Sequence, residues 1–176
     1  KREETPSYDR PILREIITNS VVHRDYTKMH QPVKIALFID RLEVENPGGL
    51  MPGLTTYNLI HKRSWRNQLL AERMKMYGLG EMESQGIDRL FAATRKIQLP
   101  APAFTAAPDS FKVTLSGPKK FEDYTPSEKR LTVLVILILS EYIDNESVRH
   151  AFGIDLQTSG TLIKSMVSEG VIETIS

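Results

Sequence analysis

Three polar residues spaced four apart carry the clearest chemical potential in this sequence. Glu15, Asn19 and His23 lie within ILREIITNSVVHRDY, residues 12–26. On an α-helix, positions i, i+4 and i+8 share one face. A carboxylate, an amide and an imidazole therefore stack in a single stripe. Such a stripe can hold a metal ion and a water together. The same spacing also describes an ordinary solvated helix face, and spacing alone leaves both readings open. A second polar cluster, His23-Arg24-Asp25, follows directly, and it reads as groups that close the helix end by hydrogen bonds and ion pairs.

The rest of that stretch supplies the helix. Ile12, Leu13, Ile16, Ile17, Val21 and part of Val22 fall on an apolar face. Asp9 is placed to cap the helix, and Pro11 fits its first turn, where a missing N–H costs nothing. Beyond the loop, residues 32–40 alternate Val33, Ile35, Leu37, Ile39 against Lys34, Ala36, Phe38, Asp40. Leu42, Val44 and Asn46 continue the pattern after a short connection, which predicts an antiparallel hairpin. It ends in Asn46-Pro47-Gly48-Gly49, a turn that cannot continue a central strand. Glycine there lets a ligand approach the backbone, although most such turns are only turns.

Further on, a short helix is expected at 55–60. A second, from Ser64 or Asn67 to Tyr77, would bury Leu69, Leu70, Met74 and Tyr77. A third is expected over about 83–97. LPAPAFTAAPD has three prolines within the nine residues 100–108 and reads as an extended connection. Phe111 to Leu115 alternates again and should return to the hairpin as a third strand.

Residues 118–124 read as a linker between a domain at 1–117 and a smaller unit at 125–176. Thr125-Pro126-Ser127-Glu128 has the form of a capping box. The apolar run LTVLVILIL therefore reads as a helix to about Tyr142, buried on nearly all sides. A short helix from Asn145 to Phe152, closed by Gly153, and another capped by Asp155 and running to about Glu169, closed by Gly170, follow, and VIETI should start a strand. This is the order of a winged helix-turn-helix. Its last helix would turn Leu162, Ile163, Met166 and Val167 inward. Gln157, Thr158, Ser159, Thr161 and Lys164 would face outward, where small polar groups reach bases and phosphates of DNA.

Composition bounds these readings. The chain has 176 residues and a net charge of +1, which is no global nucleic-acid signature. Residues 124–176 carry four Lys/Arg against seven Asp/Glu, a net of −3 that weakens DNA binding by counterion release. Dimerisation or docking of a protein partner is the alternative use of that unit. No cysteine is present, which excludes disulfides, thiolate metal sites and cysteine nucleophiles. The longest apolar run is far short of the ~20 residues of a membrane span, and a cytoplasmic protein is expected. The opening KREETPSYDRP has no apolar signal segment, and the chain reads as a C-terminal piece of something longer.

REIITNSVVHRDYT (14–27), KIALFIDRLEVENPGGL (34–50), SWRNQLLAERMKMYGLGEMESQGIDRL (64–90) and DSFKVTL (109–115) together resemble a known family. This is the ATPase-like domain at the C-terminal end of many bacterial transcriptional regulators, also called the RecG-like helicase C-terminal family. It is a divergent branch of the GHKL ATPases. The resemblance implies an α+β fold, with helices on a small, largely antiparallel sheet as in a partial GHKL sandwich. It also implies ATP and Mg²⁺ as cofactors and a DNA- or nucleotide-binding, Alba- or Schlafen-like domain upstream. Glu15 falls on the family's water-orienting carboxylate and Asn19 on its magnesium ligand, with His23 beside them. Asn46 stands for the adenine-reading aspartate, with Gly48 and Gly49 shifted from the family spacing. Ser84 and Gly86 stand in the phosphate loop, Ser84 where relatives commonly have glycine. The resemblance implies a transcriptional regulator with a degenerate nucleotide-binding domain. A weak Mg²⁺-dependent ATPase and a protein-interaction module, such as a homodimerising one, are the alternatives. A helicase motor is not expected, because no Gly-Lys dipeptide is present for a phosphate-binding loop.

Overall fold

The computed structural model describes residues 8–56, 58–59, 62, 64–79 and 86–174. Helix α1 (Arg10–Val22) has Pro11 in its first turn, whose fixed φ suits a helix start. Asp9 sits at the N-cap, yet its side chain makes no capping bond. The helix is held instead by burial of Ile12, Ile16 and Val22. Strands β1 (Lys34–Leu37) and β2 (Arg41–Pro47) form the expected hairpin, closed by a bond from the Phe38 N–H to the Arg41 carbonyl. After them come α2 (Gln68–Met76), α3 (Gly86–Lys96), β3 (Ala103–Ala106) and β4 (Ser110–Ser116). The four strands make one antiparallel sheet in the order β1-β2-β4-β3.

The period of two in β2 sorts its side chains cleanly. Leu42, Val44 and Asn46 are buried, and Leu42 and Val44 share a core with Ile12, Ile16, Leu90 and Leu115 beneath α1 and α3. Arg41, Glu43 and Glu45 lie on the opposite face, where Arg41 pairs with Glu43 along β2 while Lys112–Glu43 and Lys34–Glu45 pair across strands. β4 pairs with β2 from Arg41↔Ser116 to Pro47↔Ser110, so the strand at 111–115 returns to the hairpin as its pattern predicts.

Several expectations are corrected. The strand at 32–40 is only four residues long, because the chain already turns at 38–41. Ile35 and Leu37 pair with Val44 and Leu42, yet they are 56% and 59% exposed while their partners are buried. The helices cover β2, and β1 is an edge strand lying beyond them among the described residues. In α2 the buried residue is Ala71, and Leu69 and Tyr77 are exposed. The described residues of 55–60 form turns rather than a helix, tied by Thr55 and Asn58. The proline-rich connection contains β3, which prolines tolerate because it is an edge strand.

The C-terminal helices are α4 (Pro126–Ser140), α5 (Asn145–Phe152) and α6 (Leu156–Ser168). The capping box predicted at Thr125 is formed with Glu128, a feature that stabilises a helix by about 1 kcal/mol. Asp144 with Ser147 makes a second box on α5, and Asp155 caps α6. Their core joins Val133, Ile136, Val148, Phe152 and Met166. Phe121 and Tyr124 pack edge-on against Phe152, so the stretch read as a linker contributes to this core. No strand forms at 171–174; Ile172 is buried among the helices instead. The two parts touch where α3 meets α4, and the Arg95 guanidinium donates to Ser140 Oγ. Among the described residues no helix is long and apolar enough to cross a membrane.

Candidate functional site

A cavity of about 150 Å³ opens between α1, the buried face of the sheet, the start of α3 and the loop after β2. Its walls are mostly apolar, built from Ile16, Val44, Leu90, Phe104, Phe111 and Val113 with Leu50, Met51 and Leu54. These residues are here because β2, β4 and β3 turn alternate side chains toward the helices. Asn19, Ser20, His23 and Asn46 are the polar groups set into the wall by α1 and β2.

Asn46 is the most telling of them. It is 6% exposed, and its Oδ1 is buried with no hydrogen-bond partner among the described residues. The alternation that buries Leu42 and Val44 carries Asn46 inward with them. A buried acceptor left unmade costs about 1–3 kcal/mol. Such a cost is tolerated where a ligand supplies the missing donor.

The stripe on α1 is present, but its members do different things. Asn19 Nδ2 donates to Glu15 Oε1 at 2.7 Å, so the amide and the carboxylate are bonded to each other. Asn19 lines the cavity and Glu15 does not. Ser20 Oγ donates back to the Ile17 carbonyl. His23 lies against Trp65, with ring centroids 5.5 Å apart and planes 18° from parallel. Burial pushes the His23 pKa down to about 4, aided by the positive charge of Arg66, so the ring is neutral at pH 7.

Arg24 and Asp25 close the end of α1, as one reading of the sequence had them. The Arg24 guanidinium donates to the carbonyls of Lys28 and Gln31. Asp25 Oδ1 accepts from the Thr27 backbone and hydroxyl, which holds its pKa below the usual carboxylate value. Asp25 Oδ2 pairs with Arg66 at 3.2 Å, and Arg66 also donates to the Gly49 carbonyl. Asn67 Nδ2 donates to the carbonyls of Val22 and Arg24 at 2.7 and 2.8 Å. Trp65, Arg66 and Asn67 therefore brace α1 against the turn after β2. Sequence reasoning passed over them as a helix start, although an aromatic, a cation and an amide in succession marked a loop with contacts to make.

The turn glycines have a structural reason. A Cβ on Gly48 would lie 2.6 Å from Asp25 Cβ and 2.7 Å from the Arg66 guanidinium, at a φ of +99°. One on Gly49 would lie 2.5 and 2.6 Å from the carbonyl oxygens of Ala107 and Pro108. The close approach that requires glycine is made by the protein itself. Both glycines also line the cavity. Ser84 lies outside the described residues, and Gly86 opens α3.

The fit to magnesium-ATP is uneven. The base end fits, because an apolar slot with one orphaned acceptor suits an aromatic ring bearing an amino group. On the α1 side of the wall, Asn19 Oδ1 is the amide oxygen a cation would use, since its amide nitrogen is committed to Glu15, and Ser20 Oγ lies beside it. No group of three or more His, Asp or Glu that would hold a metal occurs among the described residues. The cations on the wall are Lys62 and Arg66, and Arg66 is spent on Asp25. Among the described residues the base is better provided for than the triphosphate, whose expected loop around Ser84 lies outside them.

On the C-terminal unit, Gln157, Thr161 and Lys164 are exposed on α6, and Thr158 is half-buried. Ser159 is a correction: it is 0% exposed, and its hydroxyl donates to Asn145 Oδ1 and the Leu156 carbonyl. A polar residue one step round the helix faces α5 when a neighbouring amide accepts its bond. Thr158, Gln157 and Thr161 border a shallow groove with Phe121 and Lys129.

Residues 30–115 match the family model described as "Putative ATP-dependent DNA helicase recG C-terminal". That span includes Asn46, the turn glycines and the Trp65-Arg66-Asn67 brace, and leaves α1 outside it. No curated protein matches the chain. The crystal structure of the DIP2311 protein from Corynebacterium diphtheriae is similar with a TM-score of 0.62 and 21% identity, over 91% of this chain. The chain spans 36% of that protein's length, and at this identity the likeness is one of fold. The match over residues 30–115 supports placing the sheet and its cavity with an ATPase-like domain family.

Proposed function

We propose that the sheet domain binds a purine nucleotide, ATP being the ligand that the family match favours, in the cavity beside α1. The observation that carries this is the buried, unpartnered Oδ1 of Asn46 at the wall of an apolar slot. An acceptor so placed suits an exocyclic amino group. The ring would lie among Val44, Phe104 and Phe111, with the neutral His23 and Trp65 at the side. Magnesium, brought in with ATP, would screen the phosphate charge, and Asn19 is the residue placed to reach it. Glu15 is bonded to Asn19 and off the cavity wall, so binding is favoured over turnover. A weak ATPase using Glu15 to orient water remains the lesser alternative.

Trp65, the single tryptophan of the chain, lines the cavity and reports occupancy directly. Titration with ATP and magnesium should change its fluorescence saturably. A flat titration, with no thermal shift, would sink the nucleotide reading.

The helical unit at 125–176 supports a second role. Exposed Gln157, Thr161 and Lys164 on α6, beside a shallow groove, suit a helix-turn-helix that contacts DNA within a transcriptional regulator. With a net charge of −3 on residues 124–176, such contact should be weak and salt-sensitive. Anisotropy with labelled duplex at low and high salt tests it; no binding at low salt would favour a dimerising or protein-docking unit.

A further inference from the structure

β1 carries on its free side what another strand would bind. It ends the sheet among the described residues. The Phe38 N–H bonds to the Arg41 carbonyl, so these two residues are a hydrogen-bonded pair of the hairpin. Such pairs alternate with non-bonded ones along an antiparallel ladder. Leu37↔Leu42 and Ile35↔Val44 are therefore the non-bonded pairs, and Ala36↔Glu43 and Lys34↔Glu45 the bonded ones. The backbone N–H and C=O groups of Ile35 and Leu37 consequently point away from β2. Their side chains share the face of Val44 and Leu42, and both are more than half exposed. Backbone and side chains at this edge call for one kind of partner, an extended strand with apolar residues at alternate positions.

The strand that fits is β1 itself. In an antiparallel pair about a two-fold axis at Ala36, Ile35 of one copy stands opposite Leu37 of the second copy, and Leu37 opposite Ile35. Both are hydrogen-bonded pairs, so every outward N–H and C=O of Ile35 and Leu37 is satisfied. A shift of two residues either way leaves one such pair within β1. A shift of one sets apolar side chains against the charged face. In the favoured register the four apolar side chains form a single row. On the other face Lys34 stands opposite Phe38 of the second copy, with Asp40 of that copy on the diagonal, within reach of a long side chain. Lys34 and Asp40 are both exposed, and the two lysines lie at opposite ends of the strand pair, so like charges do not meet. Ala36 falls on the axis, where Cα atoms approach to about 4.5 Å and a methyl group fits.

We infer that β1 is a self-association edge: two copies of this chain pair through Lys34–Leu37 and join their sheets into one. Two four-residue strands fall short of the ~1,000 Å² that a stable interface buries, so the dimer is weak, with a dissociation constant on the order of 100 µM.

Sedimentation of the 176-residue chain and single-cysteine cross-linking test this. The chain has no cysteine of its own, so one introduced thiol reports alone. The wild-type mass should rise from monomer toward dimer between about 1 µM and 1 mM. Under mild oxidation Ala36→Cys should form a disulfide-linked dimer, because the two thiols meet on the axis. Lys34→Cys, equally open to oxidant, should cross-link at least tenfold more slowly, since its two copies are about 14 Å apart in this register. A wild-type chain that stays monomeric at 1 mM overturns the inference and leaves the edge to a different chain. A dimer in which Ala36→Cys links no faster than Lys34→Cys also overturns it and places the contact elsewhere, such as on the helical unit. Neither result bears on the nucleotide reading.

Discussion

Gly49→Ala separates two reasons for a glycine: room for a ligand, or room for the protein. Gly49 has no left-handed backbone, so the substitution carries no conformational strain of that kind. Its cost is steric. The new Cβ would lie 2.5 Å from the Ala107 carbonyl oxygen, 2.6 Å from that of Pro108 and 2.9 Å from the Pro108 carbonyl carbon. These are backbone atoms with no rotamer to change. They belong to the turn between β3 and β4, which is pinned by Ala107 N–H to Ser110 and by Gly48 N–H to Asp109 at 2.7 Å. Lys28 Nζ holds the same Asp109 carbonyl at 3.0 Å. Relieving the clash means moving this turn outward and stretching those bonds. Overpacking costs about 1–3 kcal/mol, and one weakened hydrogen bond adds about 1. Gly49→Ala should therefore destabilise the fold by about 2–4 kcal/mol, read as a lower urea midpoint at unchanged slope. Gly78→Ala is the control, since nothing lies near its Cβ but its φ is +67°, and it should cost about 1 kcal/mol. A Gly49→Ala chain within about 0.5 kcal/mol of wild type would refute the reasoning and return the glycine to a role in ligand approach.

His23 gives a pH dependence with a definite sign. Its folded pKa of about 4 lies below the ordinary 6.5, so the unfolded chain binds more protons between those values. Stability from this group is complete above about pH 6.5 and falls on acidification toward pH 4, by roughly 3 kcal/mol; His23→Phe should flatten that part of the urea-midpoint profile, and an unchanged slope would contradict a buried neutral ring. Asn67→Ala removes two bonds to the carbonyls at the end of α1 and should cost about 1–2 kcal/mol in the same assay, with no loss meaning that water replaces the amide. Asp144→Ala breaks the box on α5 and should lower stability by about 1 kcal/mol, whereas Asp144→Asn should retain most of it.

Local signals in the sequence carried the parts of the fold that are locally determined. Proline in the first turn and a 3.6-residue apolar period place α1, and the Thr125–Glu128 box resolves a β-branched run into α4. Strand alternation finds the hairpin and the inward side of β2, with Asn46 on it. What the pattern does not hold is which apolar face gains a cover. Ile35 and Leu37 obey the alternation and remain exposed, because the helices stop at β2. Leu69 and Tyr77, on and just after α2, are apolar but exposed, with Ala71 the buried residue of that helix. Ser159 shows the reverse: a polar residue goes inside once Asn145, fourteen positions away, accepts its proton. The stripe on α1 was legible as a stripe, and the family resemblance gave it a role. Only the tertiary structure shows that Asn19 faces the cavity while Glu15 does not. The brace at 65–67 depends wholly on long-range contacts to α1 and the turn, and no local period encodes such contacts.

β1 has a consequence for handling the molecule. Its outer edge pairs with nothing among the described residues, and Ile35 and Leu37 lie bare beside it. Natural edge strands are usually blunted by lysine, proline or a bulge. Here Lys34 is the one charge on the strand, and it is partly neutralised by Glu45 at 3.7 Å. Such an edge is a template on which extended chains can add. Leu37→Lys would put a second charge on that edge and act as a gatekeeper against strand addition there.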